Sequence, residues 1–370
     1  MRVPLPARSL FLSLALLLAG CAPEEPVRIG FVGGLTGRGA DLGESARNGV
    51  LLAVEQKNAA GGIKGRRIEV LVRDDAGQPD RAAQSVRELT AAGVDVIIGS
   101  QTSATTAAMV PDLDASKVLG ISPTASSMFL YGKDDYLVRL NRTTRDNARD
   151  YAEYIRVKRG WRRVALVYDV PNKMFSQSWA DEFDKAMDVA GGDLLLALPF
   201  DPNNDDSHAV AARDLLAAKP DCIMMVTTTV DTARLAQQIR QRDPSMPLLT
   251  SEWASTEQLI EMGGRAVDGM AMVQSHNRDD TSALFRNFVK GFEARFKREP
   301  GYATVASYDA TTVALTALER RHDKQSLKEA VLTYGPYQGL QQQIAFDSNG
   351  DTRRKVYFSV IRDSRFVLID

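Results

Sequence analysis

The stretch RIGFVGGLTGRGADLGESARNGVLLAVEQKNAAGGIKGRRIEVLVRDDAGQPDRAA, residues 28–83, decides the fold. Two apolar, strand-like runs, 27–33 and 67–74, are each followed by a helical pattern, at 43–60 and 78–92. Strands that alternate with helices form parallel sheets, joined by right-handed crossovers and covered by helices on both faces. The stretch therefore predicts the start of a doubly wound α/β lobe.

The same alternation continues along the chain. Further strand-like runs are VDVIIGS, KVLGISP, RRVALVYD, DLLLALPF, CIMMVTT, PLLTSE and GMAMVQS, and further helical patterns cover 103–116, 174–190, 206–218 and 230–242. Two long helical patterns, about 280–297 and 303–320, precede the strand-like run LQQQIAFD and a hairpin-like pair, KVYFSVIRD and RFVLI. A chain of 370 residues is long enough for two domains, and no low-complexity linker separates them. We therefore predict two doubly wound parallel-sheet lobes joined by several short crossings.

The N-terminus has the pattern of an export signal. Two arginines precede an apolar run, 10–18, which is shorter than the roughly 20 residues of a membrane span and is followed by small residues at the cleavage position. The sequence LAGC resembles the bacterial lipobox, in which cleavage leaves Cys21 as the lipid-bearing N-terminus. We expect a signal peptide over 1–20, a lipidated tether over 21–26, and a protein anchored to a bacterial membrane, facing the periplasm or the cell exterior. The alternative is a secretory signal followed by an incidental cysteine.

Composition excludes several classes of partner. Without residues 1–20 the chain has 44 basic and 47 acidic residues, a formal charge of −3, so no basic footprint for nucleic acid is present. Cys222 is the only other cysteine, and its apolar context DCIMMV predicts a buried core thiol. The three histidines lack ligand spacing, so we expect no metal and no cofactor.

A glycine-rich loop follows the first strand, with five glycines between residues 33 and 43. Its spacing is G-x-G-x-x-x-G, and the next acid pair, Asp74 and Asp75, lies 31 residues beyond Gly43, whereas a dinucleotide site places its acid about 20 residues on. A turn in which glycine permits close backbone approach is the favoured interpretation. The P-loop, H-E-x-x-H, G-x-S-x-G and S-x-x-K motifs are absent from the sequence, so we expect no catalysis.

Two polar stretches follow predicted strands. Five hydroxyl side chains lie within 100–106, between the third strand and its helix, where free N–H groups and the helix dipole favour an anion. Ordinary N-capping by one of these hydroxyls is the alternative. In SEWAST, residues 251–256, the acid Glu252 and the indole of Trp253 follow a strand directly.

The chain resembles the periplasmic leucine/isoleucine/valine-binding proteins, the type I solute-binding proteins of ABC importers. NAAGGIKGRRIEV followed by RDDAGQP carries the resemblance most specifically, and VIIGSQTSATTAA, GISPTASS, ALVYDVPNKMFSQSWA and SEWAST extend it. The resemblance implies the type I periplasmic binding protein fold, a monomer whose two lobes, joined by a three-crossing hinge, close on one amino acid. The lobes would comprise 27–143 plus 275–350 and 144–274 plus 351–370.

The resemblance also implies roles for individual residues. Ser103 matches the position whose hydroxyl takes the ligand carboxylate. Thr124, Ala125 and Ser126 match the loop that supplies backbone and hydroxyl contacts to the carboxylate and ammonium. Glu252 matches the acid that receives the ammonium; its alternative roles are a neighbour of a helix N-cap or a surface acid.

The chain departs from the family at two tyrosine positions. Phe175 replaces one tyrosine and keeps its ring, whereas the other position falls on Thr228 or Thr229. Leu42 and Trp253 are candidate apolar walls, and ordinary lobe packing is the alternative for these side chains. The lost tyrosine bulk would enlarge the cleft, so the preference of the family for leucine, isoleucine and valine does not transfer directly.

These observations predict a substrate-binding lipoprotein of an ABC importer. It would capture a small amino acid with an aliphatic or other apolar side chain and deliver it to a membrane permease and its ATPase, touching the membrane only through its N-terminal lipid. One alternative is a ligand-sensing subunit, an amide or amino-acid receptor on the same fold, and another is an exported hydrolase. Neighbouring permease and ATPase genes would favour transport over sensing.

Overall fold

A computed structural model describes residues 25–204 and 206–369. The predicted signal peptide and the predicted lipidation site, Cys21, lie outside these residues. Within them, no helix combines the length and the apolar character needed to cross a membrane.

The strands form two large sheets, one for each lobe, and a small two-stranded ribbon. They are β1 (Val27–Gly33), β2 (Ile68–Asp74), β3 (Val96–Ile98), β4 (Leu119–Ser122), β5 (Leu137–Arg139), β6 (Arg163–Asp169), β7 (Asp193–Phe200), β8 (Cys222–Val226), β9 (Leu248–Thr250), β10 (Ala271–Gln274), β11 (Tyr337–Gln338), β12 (Gln343–Ile344), β13 (Tyr357–Arg362) and β14 (Arg365–Leu368). The first sheet is parallel throughout, in the order β2-β1-β3-β4-β5. The second has the order β14-β13-β10-β9-β8-β6-β7, with only β13 and β14 antiparallel.

Helices connect the strands and cover the sheets. They are α1 (Ala40–Ala59), α2 (Pro79–Ala91), α3 (Ser103–Ser116), α4 (Thr144–Glu153), α5 (Lys173–Val189), α6 (Ser207–Ala217), α7 (Thr229–Arg242), α8 (Glu257–Gly263), α9 (Ala283–Phe296), α10 (Tyr302–Arg320) and α11 (Leu327–Thr333). Every helical pattern predicted from the sequence corresponds to one of these helices, whereas α4, α8 and α11 were not predicted.

The described chain passes between the two sheets three times, after β5, after β10 and before β13. The predicted fold, two doubly wound lobes joined by three crossings, is therefore confirmed. Apolar side chains of β1 alternate between clusters on opposite faces of the first sheet: Ile29 and Phe31 lie in one cluster and Val32 in the other. The buried Cys222 lies in the core of the second lobe, as predicted, and burial raises the pKa of its thiol well above the usual value.

The prediction of a strand over LQQQIAFD was wrong for most of its length, because only β12 and an isolated bridge from Phe346 to Thr352 pair there. The side chains of neighbouring glutamines bond to other loops instead. Gln341 Nε2 donates to the carbonyl of Asn277 at 2.6 Å, and Gln342 Nε2 donates to the carbonyl of Lys355 at 3.1 Å. These glutamines hold the segment against two other loops.

The glycine loop after β1 is a closely packed turn, as predicted. A Cβ on Gly43 would lie 2.0 Å from the carbonyl oxygen of Gly34, so glycine is required where α1 passes over the loop. Asp74 holds the loop by accepting hydrogen bonds from the Leu35 amide at 2.8 Å and the Thr36 hydroxyl at 2.6 Å.

The second acid of RDDAGQP ties two loops together. Asp75 is buried and accepts hydrogen bonds from the Ser100 hydroxyl and the Gly77 amide, each at 2.7 Å. Since the strand order reverses between β1 and β3, the loops after these strands border the crevice where ligands bind in open α/β sheets.

Candidate ligand-binding site

A small cavity, here called the inner cavity, lies between the two lobes, in about 300 Å³ of space between atoms that is partly open to solvent. Most of its lining comes from loops at the carboxyl ends of strands in both sheets. The lining residues are Gln101, Thr102, Ser103, Thr124, Ser126, Asn141, Asn172, Phe175, Glu252, Trp253 and Tyr302.

The lobes are in direct contact beside this cavity. The Ser127 hydroxyl of the first lobe donates to the carbonyl of Met174 in the second at 2.6 Å, and the Met128 amide donates to the Ser178 hydroxyl at 3.2 Å. The structure therefore represents a closed arrangement of the lobes.

The first-lobe wall of the inner cavity is built around the N-terminus of α3. Thr102 caps this helix by accepting a hydrogen bond from the Thr105 amide at 3.3 Å. Ser103 Oγ instead accepts from the amides of Ser126 and Ser127, at 3.4 and 3.2 Å, and keeps its own proton to donate. Because Thr102 caps the helix, the Ser103 proton stays available to a ligand, and the helix dipole makes this wall favourable for an anionic group.

The loop after β4 is fixed against the loop after β3. The Thr124 hydroxyl donates to the carbonyl of Gln101 at 2.7 Å, and Asn141 Nδ2 donates to the carbonyl of Thr124 at 2.7 Å. Ala125 packs into the core of the first lobe and does not line the inner cavity. The two loops therefore form one rigid wall of hydroxyl, amide and carbonyl groups.

The second-lobe wall contains a buried carboxylate. Glu252 begins a short 3-10 helix after β9, and its side chain is only 6% exposed. Asn147 Nδ2 donates to Glu252 Oε1 at 2.7 Å, whereas Oε2 has no hydrogen-bond partner among the described residues. Burial raises the pKa of Glu252, an effect that the hydrogen bond from Asn147 and the charge of Arg142 only partly oppose. Glu252 is therefore not a surface acid; it does follow Ser251, the N-cap of this 3-10 helix, but its buried side chain also lines the cavity.

Helix α4 holds this carboxylate in place. Besides the contact from Asn147, the hydroxyl of Tyr151 donates to the carbonyl of Thr250 at 2.6 Å and accepts from the Val273 amide at 2.7 Å. Tyr151 thereby joins the ends of β9 and β10. The first helix after the hinge fixes the strand end from which Glu252 projects.

Aromatic side chains close the remaining sides of the inner cavity. The rings of Phe175 and Trp253 meet edge to face, with centroids 5.5 Å apart. Tyr302, the first residue of α10, completes the lining. The sequence contained no signal for Tyr302, because it reaches the cavity only through the second crossing of the hinge.

A larger space, here called the outer cleft, encloses about 800 Å³ and shares Gln101, Thr102, Asn172 and Trp253 with the inner cavity. Leu42 and Thr228 line the outer cleft. Thr229 lines neither space; its hydroxyl lies 3.2 Å from that of Thr256. Of the residues expected from the sequence, the structure brings together around the inner cavity Ser103, Thr124, Ser126, Phe175, Glu252 and Trp253.

Two ion pairs, here called the mouth ion pairs, join the lobes beside the outer cleft. The guanidinium of Arg38, on the first lobe, contacts Asp169 at 3.0 Å and also Asp231, both buried in the second lobe. The pKa of Asp169 is raised because burial outweighs the nearby positive charge. The pKa of Asp231 is lowered, since hydrogen bonds from His208 and Thr228 and the charge of Arg38 together outweigh its burial. No motif in the sequence predicts these pairs.

The inner cavity is chemically asymmetric. Hydroxyl donors and a helix N-terminus line one lobe, and a buried carboxylate with an unpartnered oxygen lines the other. In the described ranges, 25–204 and 206–369, no cluster of His, Cys, Asp or Glu side chains has the arrangement of a metal site. The cavity is thus complementary to a small molecule with an acidic group at one end and a basic group at the other.

Comparisons with known proteins agree with the fold. Residues 26–365 match the family described as periplasmic binding protein. The leucine-, isoleucine-, valine-, threonine- and alanine-binding protein of Pseudomonas aeruginosa is 22% identical over 349 residues, covering 92% of this chain and 91% of that protein. LivJ of Streptococcus pneumoniae, solved with isoleucine, superposes with a TM-score of 0.86 at 21% identity, covering 93% of this chain and 99% of LivJ.

A second solved structure shows how widely this architecture is used. A solute-binding protein of an ABC transporter from R. palustris, solved with benzoate, superposes with a TM-score of 0.83 at 19% identity, covering 93% of this chain and 95% of that one. Its ligand has no amino group. At such identities the likeness establishes the fold, and the ligand has to be inferred from the residues of the site.

Proposed function

Because this chain belongs to the periplasmic binding protein family, whose profile spans residues 26–365, we propose that it captures a small amino acid between its lobes and delivers it to an ABC permease. The family consists of extracytoplasmic solute-binding proteins, and the chain acts by binding and release without catalysis. Relatives named for leucine, isoleucine and valine support an amino acid as the ligand class.

The unpartnered Oε2 of Glu252 carries this proposal. A buried carboxylate without a cation is unfavourable, and Glu252 forms no ion pair with any residue of the described chain. The α-ammonium of an amino acid would supply the missing cation and the missing hydrogen bond. On the opposite wall, Ser103 and the first turn of α3 would receive the α-carboxylate.

The two walls belong to different lobes, so one ligand contacts both. A ligand that binds the closed arrangement more tightly than the open one shifts the population toward closure. The closed form is then the one offered to the permease. The side chain of the ligand is a separate question, since the resemblance implies an apolar one whereas most residues that line the inner cavity are polar.

A thermal-shift screen of the twenty amino acids tests the proposal, because a ligand that binds only the folded state raises its melting temperature. We expect at least one amino acid to stabilise the protein and its deaminated analogue to have little effect. Equal stabilisation by the deaminated analogue would contradict the role of Glu252. A screen without any stabilising amino acid would contradict the ligand class.

Anchoring through Cys21 is a further part of the proposal, and it uses a part of the chain separate from the site. We expect the variant Cys21→Ser to be released in soluble form while its affinity for the ligand stays unchanged. Membrane fractionation followed by calorimetry on the soluble pool measures both properties. If the variant stays in the membrane pellet, the lipobox interpretation is wrong.

A further inference from the structure

Two buried amide oxygens on residues of the inner cavity lack partners. Gln101 Oε1, on the first lobe, and Asn172 Oδ1, on the second, have no hydrogen-bond partner among the described residues, although these residues are only 5% and 7% exposed. Gln101 Nε2, in contrast, donates to the carbonyl of Val32 at 3.5 Å. Both residues line the inner cavity. Since buried polar groups in folded proteins are nearly always hydrogen-bonded, two unpaired amide oxygens on residues that line one cavity indicate a missing partner there.

The surrounding chain is built to hold these amides. A Cβ at Gly33 would lie 2.3 Å from Gln101 Oε1, so the glycine leaves room for the glutamine side chain. The Asn172 amide donates to Asp169 Oδ2 at 2.7 Å, and its carbonyl accepts from the Phe175 amide at 3.0 Å. Neighbouring groups therefore leave room for the Gln101 side chain and fix the backbone of Asn172, independently of any ligand.

Their place in the site assigns them to the side chain of the ligand. Gln101 and Asn172 line both the inner cavity and the outer cleft, so they lie where the two spaces adjoin. A ligand anchored by its α-carboxylate at Ser103 and by its α-ammonium at Glu252 would direct its side chain toward this boundary.

We propose that the ligand is an amino acid with an uncharged hydrogen-bonding side chain, a carboxamide or a hydroxyl, read by Gln101 and Asn172. This inference rests on the proposed function and replaces the apolar side chain expected from the resemblance. An amide offers both a donor and an acceptor, and the oxygen and nitrogen of Asn and Gln can exchange places, so the matching ligand group is one that can donate or accept. An aliphatic side chain would leave both amides buried and unpaired.

The charges around the site argue against an ionised side chain. Glu252 is the only carboxylate that lines the inner cavity in the described chain, and the α-ammonium occupies it. The next carboxylate, Asp169 of the outer cleft, is already paired with Arg38. A cationic side chain would meet the guanidinium of Arg38, and an anionic one would meet the carboxylates.

Calorimetry on the unmodified protein tests the inference with two sets of ligands: asparagine, glutamine, serine and threonine against leucine, isoleucine and valine. We expect the affinity for the best polar ligand to exceed that for the best aliphatic ligand by about 10-fold or more. An apolar side chain would leave the buried amide groups without a hydrogen-bond partner, which is unfavourable. Equal or tighter binding of an aliphatic amino acid would overturn the inference and leave the proposed function intact. Binding of none of the seven would overturn the inference, and the proposed function would fall with it only if the screen of the twenty amino acids also found no stabilising one.

Substitutions test whether the two amides cause the preference for polar ligands. Gln101→Leu and Asn172→Leu should each weaken binding of the best polar ligand about 10-fold or more and leave aliphatic ligands unchanged or tighter. Gln84→Leu, at an exposed position of α2, is the control and should change neither. Melting temperatures of the unliganded variants verify folding.

Glu252→Gln distinguishes the ammonium contact of the proposed function from recognition of the ligand side chain, because it should weaken the binding of polar and aliphatic ligands alike. If Gln101→Leu and Asn172→Leu also weakened both ligand classes to the same extent, the amides would not read the side chain and the inference would fall.

Discussion

Two sets of buried carboxylates face the first lobe from the second, and they differ in what neutralises them. At the mouth, Asp169 and Asp231 share the guanidinium of Arg38, a cation supplied by the protein. Inside the cavity, Glu252 has uncharged donors such as the Asn147 amide but forms no ion pair in the described chain, and its Oε2 has no hydrogen-bond partner there. The mouth ion pairs can therefore form whenever the lobes meet, whereas the inner carboxylate needs a cation from outside the protein.

This difference separates closing from recognition. Closure without ligand gains the mouth ion pairs but buries Glu252 unsatisfied, so the two sets of carboxylates act in opposite directions on the empty protein. A ligand ammonium removes the unfavourable contribution and leaves the favourable one. Closure then depends on ligand because of a single carboxylate, and the mouth ion pairs set how readily the lobes approach.

The largest expected effect comes from neutralising the inner carboxylate. Glu252→Gln keeps the shape of the side chain but removes the charge, and breaking a buried ion pair typically costs about 3–5 kcal/mol. We expect affinity for the best amino acid to fall on the order of 10²–10³-fold or more, while the unliganded variant stays folded. Titration calorimetry measures the affinity and thermal unfolding verifies the fold.

Glu153→Gln is the matched control, since Glu153 is an exposed acid of the second lobe, at the end of α4. Its affinity should equal that of the parent. Affinity within about threefold of the parent for Glu252→Gln itself, about 0.65 kcal/mol, would mean that the inner carboxylate does not hold the ligand ammonium.

A smaller effect is expected at the mouth. Arg38 is 39% exposed, so the contribution of its ion pairs lies between those of surface and buried pairs, about 1–2 kcal/mol. Arg38→Ala should weaken binding about 5–30-fold, and the loss should shrink at high salt. Small-angle scattering of the unliganded variant should show a larger radius of gyration.

Arg162→Ala removes an exposed ion pair with Asp193 that does not join the lobes, and it serves as the control. Unchanged affinity and an unchanged radius for Arg38→Ala would show that the mouth ion pairs do not bias closure.

Phe175 tests whether uncharged contacts in the same cavity matter as much as the carboxylate. Phe175→Ala removes an aromatic wall of the inner cavity and the ring that supports Trp253, so it should weaken binding about 2–10-fold or more. Phe175→Tyr retains the ring and should keep the affinity. Calorimetry measures the affinity of both variants. Full affinity in the alanine variant would show that Phe175 does not contribute to ligand binding.

Acidification should give the smallest change in affinity, and it should protonate the carboxylates whose pKa burial raises, Glu252 and Asp169, before Asp231. Burial raises the pKa of Glu252, so in the empty protein it takes up a proton earlier, on lowering the pH, than an ordinary glutamate. The neutral form cannot pair with an ammonium. Affinity should therefore fall as the pH drops through that raised pKa, while Asp231, whose pKa is lowered, stays ionised.

The same linkage predicts proton release on binding, because the ligand ammonium lowers the pKa of Glu252 again. Calorimetry in two buffers with different ionisation enthalpies measures the number of protons exchanged. Proton uptake instead of release at mildly acidic pH would contradict an ammonium at Glu252.

The sequence predicted those parts of the fold whose local signals agree with the tertiary structure. The bounds of α3 were predicted because a hydroxyl N-cap, Thr102, begins a clear helical pattern. Helix α4 was missed because its sequence TRDNARDYAE is mostly polar, and the side chains it buries include Asn147 and Tyr151, which act through hydrogen bonds.

The site was predictable only where a motif resembles that of known proteins. Ser103 and Glu252 lie in such motifs, and both line the cavity. Gln101 and Asn172 lie next to motif residues, but a lone amide carries no pattern, and its unpaired state depends on what surrounds it in three dimensions. The ion pairs of Arg38 could not be predicted, because its partners lie more than 130 residues away in the chain.

The late position of α10 in the chain has a consequence for biosynthesis. This helix buries Ala310, Val313 and Ala314 in the core shared with β1, yet it begins at residue 302, whereas β5, the last strand of the same sheet, ends at residue 139. At about 5–20 residues per second, a ribosome needs roughly 8–30 s to cover that interval. Throughout it, α1 alone covers part of this apolar face of the sheet in the nascent first lobe, so chaperones that bind exposed apolar segments would meet this chain before its lobes can close.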